Sequence, residues 1–170
     1  MKKISKDLRG LSIRVKEDYR DTYKPGWKFS EYEVKGVPIR IAIGPRDLKN
    51  KTAEIVRRDT LEKDTIALEN ISHCIENLLS DIQSNLFSRA ESFQKENTYV
   101  VDNFEDFKEK INLGGFVLAH WDGSTETEDK IKQLTKATIR CIPIDSKEES
   151  GKCIFTGKPS CKRVVFAKSY

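Results

Sequence analysis

Between residues 26 and 47 the sequence reads GWKFSEYEVKGVPIRIAIGPRD. One carboxylate, Glu33, stands close in sequence to two guanidinium groups, Arg40 and Arg46. A carboxylate only accepts hydrogen bonds and a guanidinium only donates them, so together they can address a ligand that carries both kinds of group. The same residues also make an ordinary surface ion pair, Glu33 with Lys35 or Arg40, worth at most about 1 kcal/mol. Taken alone, the residue types favour that plainer pairing. Further cations follow at Arg57, Arg58 and Lys63. Trp27 and Phe29 could stack on a planar group, but an aromatic beside a turn is more often part of a core.

Cys141, Cys153 and Cys161 fall within one C-terminal stretch and suggest a zinc cluster. Cys141, within TIRCIP, is equally reasonable as a buried strand residue. His73 and Cys74 are neighbours on a helical pattern. Adjacent helical positions point in different directions, which argues against a metal pair there.

The elements that must position these groups follow from local pattern. The first ten residues read as a helix tail or loop, and SIRVKEDYRD alternates like a strand, with Ile13 and Val15 on one face. Pro25-Gly26 marks a turn, and a short helix follows from about Trp27 to Lys35, stopped by Gly36. Ile39, Ile41 and Ile43 give a strand whose other face carries Arg40. PRDLKNK reads as a loop, while TAEIVRRD and DTIALE read as strands. Asn70 is placed to cap a long helix over about 71–95, where Ile71, Ile75, Leu78, Leu79, Ile82, Leu86, Ala90 and Phe93 form one apolar stripe. A composition shift near Asn97 opens a second unit. In it Asp102 is expected to cap a helix that Gly114-Gly115 ends. The strand FVLAHWD, a helix capped by Ser124 or Thr125, and the strands TIRCIP and RVVFAK follow.

The chain has 170 residues, 37% apolar and 34% charged, a balance that excludes the disordered and membrane classes. No apolar run approaches the roughly 18 residues of a membrane span. The N-terminus lacks the apolar core of a secretory signal, so with four scattered cysteines a reducing cytoplasm is the expected compartment. Residues 1–63 carry 17 Lys and Arg against 10 Asp and Glu, whereas residues 64–170 carry 14 against 17. A basic first half suggests a polyanionic partner there.

In this order, GWKFSEYEVKGVPIRIAIGPRDL, VRRDT, GFVLAHWDGSTETEDKIKQLTKATIRCIP and VVFAKSY resemble the C-terminal part of prolyl-tRNA synthetases. The likeness is to the eukaryote/archaeal-like branch, which carries an extra C-terminal domain, and it runs from about Ser12 to Tyr170. It implies an α/β (α+β) fold in two parts. Residues 1–96 would form an anticodon-binding domain, a mixed β-sheet flanked by helices, lacking the family's N-terminal strand and helix. Residues 97–170 would form a smaller α/β C-terminal extension. The catalytic motifs for ATP and proline are absent from this sequence, so the chain alone is expected to be inactive. ATP and magnesium belong to the whole enzyme, which the resemblance describes as a homodimer formed mainly through its catalytic domain. The expected partners are tRNA(Pro) and that catalytic domain. The alternative is a free-standing RNA-binding or regulatory protein derived from the same domain.

The proline anticodon keeps guanine at its second and third positions. Unpaired guanine presents N1–H and N2–H₂ donors beside O6 and N7 acceptors, so a reader needs a carboxylate and an arginine or lysine. By resemblance Glu33, Arg40 and Arg46 are those readers, and Arg57, Arg58 and Lys63 are expected on phosphates. Zinc-bearing members place four cysteines at positions occupied here by Cys141, Ser146, Cys153 and Thr156. Cys161 and His120 could fill the gaps only through an unusual loop path, so a degenerate, metal-free site is expected. The resemblance also places the terminal Tyr170 carboxylate near the active site of the catalytic domain.

Overall fold

A computed structural model describes residues 2–146 and 148–168, so Tyr170 lies outside the described residues. It divides into two compact units, Met1–Arg89 and Ala90–Tyr170. Sequence composition placed the boundary a few residues later, after residue 96.

The first unit opens with helix α1 (Lys2–Gly10), which buries Ser5 and Leu8. This helix lies within the ten residues read as a helix tail or loop, just before SIRVKEDYRD. SIRVKEDYRD itself forms no described helix or strand and joins no described ladder. Its alternation is real, because Ile13 and Val15 pack against the core while Arg14 and Lys16 face solvent. Alternation reports which side is buried; a strand also needs a hydrogen-bonding neighbour.

Helix α2 (Pro25–Val34) starts with proline, whose missing N–H costs nothing in a first turn. It stops where Gly36 takes φ +79°. There Val37 N–H donates to Tyr32 O at 3.0 Å and Gly36 N–H donates to Glu33 O at 3.1 Å. This paired closure satisfies the last carbonyls and turns the chain into strand β1 (Ile39–Ala42). The expected PRDLKNK loop is instead helix α3 (Pro45–Asn50). Pro45 sits at its first position, and Asp47 accepts the Gly44 N–H at 2.7 Å. A proline read as a breaker is here a helix starter.

Strands β2 (Thr52–Arg57) and β3 (Lys63–Ala67) complete an antiparallel sheet ordered β1-β2-β3. Ile55 and Ala53 face helix α4 (Ile71–Glu96), whose Ile71 and Ile75 close the core with Leu8. The apolar stripe on α4 is buried only in part. Ile71, Ile75 and Ile82 are inside, whereas Leu86 and Phe93 are exposed. Helical spacing defines a face but does not say how far along it a sheet extends.

In the second unit, β4 (Thr98–Val100) and β5 (Phe116–His120) are parallel and joined by α5 (Phe104–Leu113). Asn103, not Asp102, caps α5 by accepting the Asp106 N–H at 2.9 Å. Asp102 instead accepts from Arg163. Gly115 passes Asn97 so closely, at φ +95°, that a Cβ would strike the Asn97 carbonyl oxygen. Helix α6 (Thr125–Thr135), capped by Ser124, leads to β6 (Ala137–Cys141). The short pair β7 (Gly151–Lys152) and β8 (Pro159–Ser160) precedes β9 (Arg163–Lys168). The sheet order is β4-β5-β9-β6, with Phe107, Phe166, Val117, Ile111 and Ile131 at its core. The molecule is thus of the α/β class. Among the described residues no helix is long and apolar enough to cross a membrane.

Candidate nucleic-acid interface

Strand register sorts the basic residues of the first unit. Arg40 pairs with Val56, and Val56 pairs with Lys63, so these three share one face of the sheet. Arg57 pairs with Ile39 and lies on the other face, with the isoleucine core.

On the first face, the Arg40 guanidinium lies over the Phe29 ring, 3.6 Å from its centroid. Glu33 Oε1 is 3.7 Å from Arg40 Nη1, and Glu54 Oε1 is 3.9 Å from Nη2. These separations give charge attraction without a formed hydrogen bond. Arg40 Nε is buried and has no partner among the described residues. An arginine held flat on a ring, between two carboxylates it does not hydrogen-bond, keeps its donors for something else. Glu33 likewise keeps its acceptor capacity, since Lys35 pairs with Glu31 and not with it.

Helix α2 supplies this site because Phe29 and Glu33 are four residues apart and share one of its faces. Arg58 fixes the end of that helix, its Nε donating to Glu33 O at 2.7 Å. Arg46, in the first turn of α3, is exposed and makes no described hydrogen bond or ion pair. Lys63 is exposed at the start of β3. The structure therefore brings Glu33 and Arg40 together, ties Arg58 to them through the backbone, and leaves Arg46 and Lys63 free on the surface.

Arg57, expected among phosphate contacts, is committed elsewhere. It donates to both Asp59 oxygens at 2.8 and 2.7 Å and to Asp81 Oδ2 at 2.7 Å. The Asp59 side chain is 1% exposed and also accepts from Asn85 at 2.6 Å. The Arg57 hydrogen bonds hold the Asp59 carboxyl well below the ordinary aspartate range. This cluster fastens the β2–β3 turn to α4. Its sequence signal was period two: Arg57 is in phase with Ile55.

Glu54 and Phe29 complete the Arg40 site and were not expected there. The Phe29–Glu33 spacing on α2 was the available signal. Trp27, expected in a core, is 49% exposed and stacks on Tyr23.

The positions equivalent to zinc ligands do not fit a metal. Ser146 Oγ donates to Pro143 O at 2.9 Å, and Thr156 Oγ1 donates to Asp122 Oδ2 at 2.8 Å. Cys153 is buried, whereas Cys141 and Cys161 are exposed. His120 is buried with Nδ1 3.2 Å from Ser160 Oγ. No group of three His, Cys, Asp or Glu among the described residues is arranged to hold an ion. Instead Arg163 ties the region together, donating to Glu149 at 2.9 Å through both Nε and Nη2 and to Val101 O at 2.8 Å.

Residues 1–78 match the family described as Anticodon binding domain, and residues 104–170 match Prolyl-tRNA synthetase, C-terminal. The Proline--tRNA ligase of Porphyromonas gingivalis strain W83 is 56% identical over 167 residues, covering 98% of this chain and 34% of that protein. That of Flavobacterium johnsoniae is 55% identical over 168 residues, with the same coverage. That of Bacteroides fragilis strain YCH46 is 53% identical over 167 residues, covering 96% and 34%. The chain spans about a third of the length of these curated relatives. All three relatives are bacterial.

Proposed function

The chain corresponds to the C-terminal part of a prolyl-tRNA synthetase, and on that premise we propose that it recognises tRNA(Pro) by its anticodon for a proline–tRNA ligase. Glu33 accepts the N1–H and N2–H₂ of an unpaired guanine, while Arg40 donates to O6 and N7. Arg46 contacts the neighbouring guanine. Arg58 and Lys63 neutralise phosphates and set register without reading sequence.

The observation that carries this reading is the Glu33–Arg40 pair at 3.7 Å, close enough to be mutually oriented and too far to satisfy each other. Arg57 has no part in it. The extension matched over residues 104–170 supports the branch of synthetases that carries an extra C-terminal domain. Activation of proline with ATP and magnesium, dimerisation and a cytoplasmic setting belong to the whole enzyme in this proposal, with the catalytic domain as partner. In this proposal the second unit needs no zinc, because the Arg163 and Asp122 hydrogen bonds support its loop.

The test is binding of the chain to tRNA(Pro) and to the same tRNA with its two anticodon guanines replaced by adenine. Binding should weaken by at least tenfold on replacement, and equal affinity for both would refute guanine reading.

A further inference from the structure

Tyr23 and Trp27 stack with centroids 4.0 Å apart and planes 13° from parallel. Both are half exposed, at 42% and 49%. The Arg20 guanidinium carbon lies 5.0 Å from the Tyr23 centroid and 5.5 Å from that of Trp27. With the rings only 4.0 Å apart, these distances put Arg20 beside the stack and not over an outer face. Arg20 also donates to both Asp18 oxygens at 2.9 and 2.7 Å and to Glu31. Those carboxylates are therefore neutralised by internal cations.

This arrangement is a stacked, half-exposed aromatic surface on a basic unit. Trp27 lies about 200° around α2 from Phe29, so the stack and the Arg40 site occupy opposite faces of one helix. Among the described residues, one free cation lies between the two rings in sequence. Lys24 precedes α2, is exposed and makes no described ion pair. Lys16 and Lys35 line a cleft of about 350 Å³ that shares Arg20 with Glu17, Asp18 and Glu31, and there Lys35 is paired with Glu31.

We propose that the Tyr23–Trp27 stack is a second RNA contact, which takes an unpaired nucleobase on an outer ring face while Lys24 meets its phosphate. The inference rests on the RNA-binding function proposed above. Every base has a π-face, so this contact adds affinity without choosing sequence. The basic charge of residues 1–63 favours an RNA occupant over an apolar peptide.

Trp27 can be observed directly. The chain contains two tryptophans, and Trp121→Phe leaves Trp27 as the sole indole emitter. This protein is titrated with an RNA hairpin bearing the tRNA(Pro) anticodon loop. Emission should be quenched on binding, Trp27→Ala should weaken binding about tenfold, and Trp27→Tyr should restore most of it. The loss should be the same for hairpins with and without the anticodon guanines. Unchanged emission with unchanged affinity in Trp27→Ala overturns the stacking contact and leaves guanine reading intact. No binding of either hairpin overturns both. If Trp27→Ala fails to fold, the quench in the unsubstituted ring still decides.

Discussion

Arg57 and Arg58 are consecutive, yet one is held by Asp59 and Asp81 against α4 while the other donates to the Glu33 carbonyl at the end of α2. Adjacent cations thus divide between fastening the fold and placing the candidate site.

Removing the Glu33 carboxylate should cost selectivity more than affinity. For Glu33→Gln we expect discrimination between guanine and adenine in the anticodon to fall about tenfold, with total binding to tRNA(Pro) changing less. Competition binding with the two tRNAs measures both quantities.

Asp59→Asn should destabilise the first unit by about 3 kcal/mol. It removes the buried carboxylate that a largely buried arginine holds through Nε and Nη2, and leaves that arginine only the exposed Asp81 as a charged partner. Urea unfolding measures this. The salt dependence of RNA binding should be unaffected. Lys63→Ala should do the reverse, leaving stability intact and reducing the slope of log K against log salt by about one.

Acid should loosen α1. Glu17 accepts from Ser5 at 2.6 Å, from Tyr19 and from Arg9 at 2.9 Å. These bonds, the Ser5 hydroxyl foremost, lower its pKa from 4.5 to about 2. A depressed folded value means the stabilisation is complete above about pH 4.5 and is lost as pH falls towards 2. Melting temperature followed over that range should decline less steeply in Glu17→Gln than in the native chain.

Gly115→Ala should destabilise the second unit by about 2–4 kcal/mol. It combines a positive φ with a collision against the Asn97 backbone, which cannot swing aside as a side chain would. Denaturant melts followed by Trp121 fluorescence in a Trp27→Phe background check it.

Much of this organisation was readable in advance where local chemistry decides. Gly36 and Pro38 fixed the helix–strand turn, and the alternation of Ile39, Ile41 and Ile43 put Arg40 on the outward face. What escaped depended on neighbours distant in sequence. Ile13 and Val15 alternate as a strand would, but no described strand lies beside them. Phe93 fits the α4 stripe, but the described core ends before it. The commitment of Arg57 depends on Asp81, 24 residues on within α4. Pro45 was misread for a local reason: proline both ends strands and starts helices, and Asp47 two residues on decided for the helix.

The buried Arg40 Nε has a thermodynamic consequence for the unliganded chain. A donor shut away from water without an acceptor lowers stability, whereas an apolar side chain of similar length would fill the space above Phe29 without that penalty. Arg40→Met should therefore melt higher than the native protein while binding RNA less well. On the proposed reading, the best residue for folding and the best residue for recognition at this position are different ones.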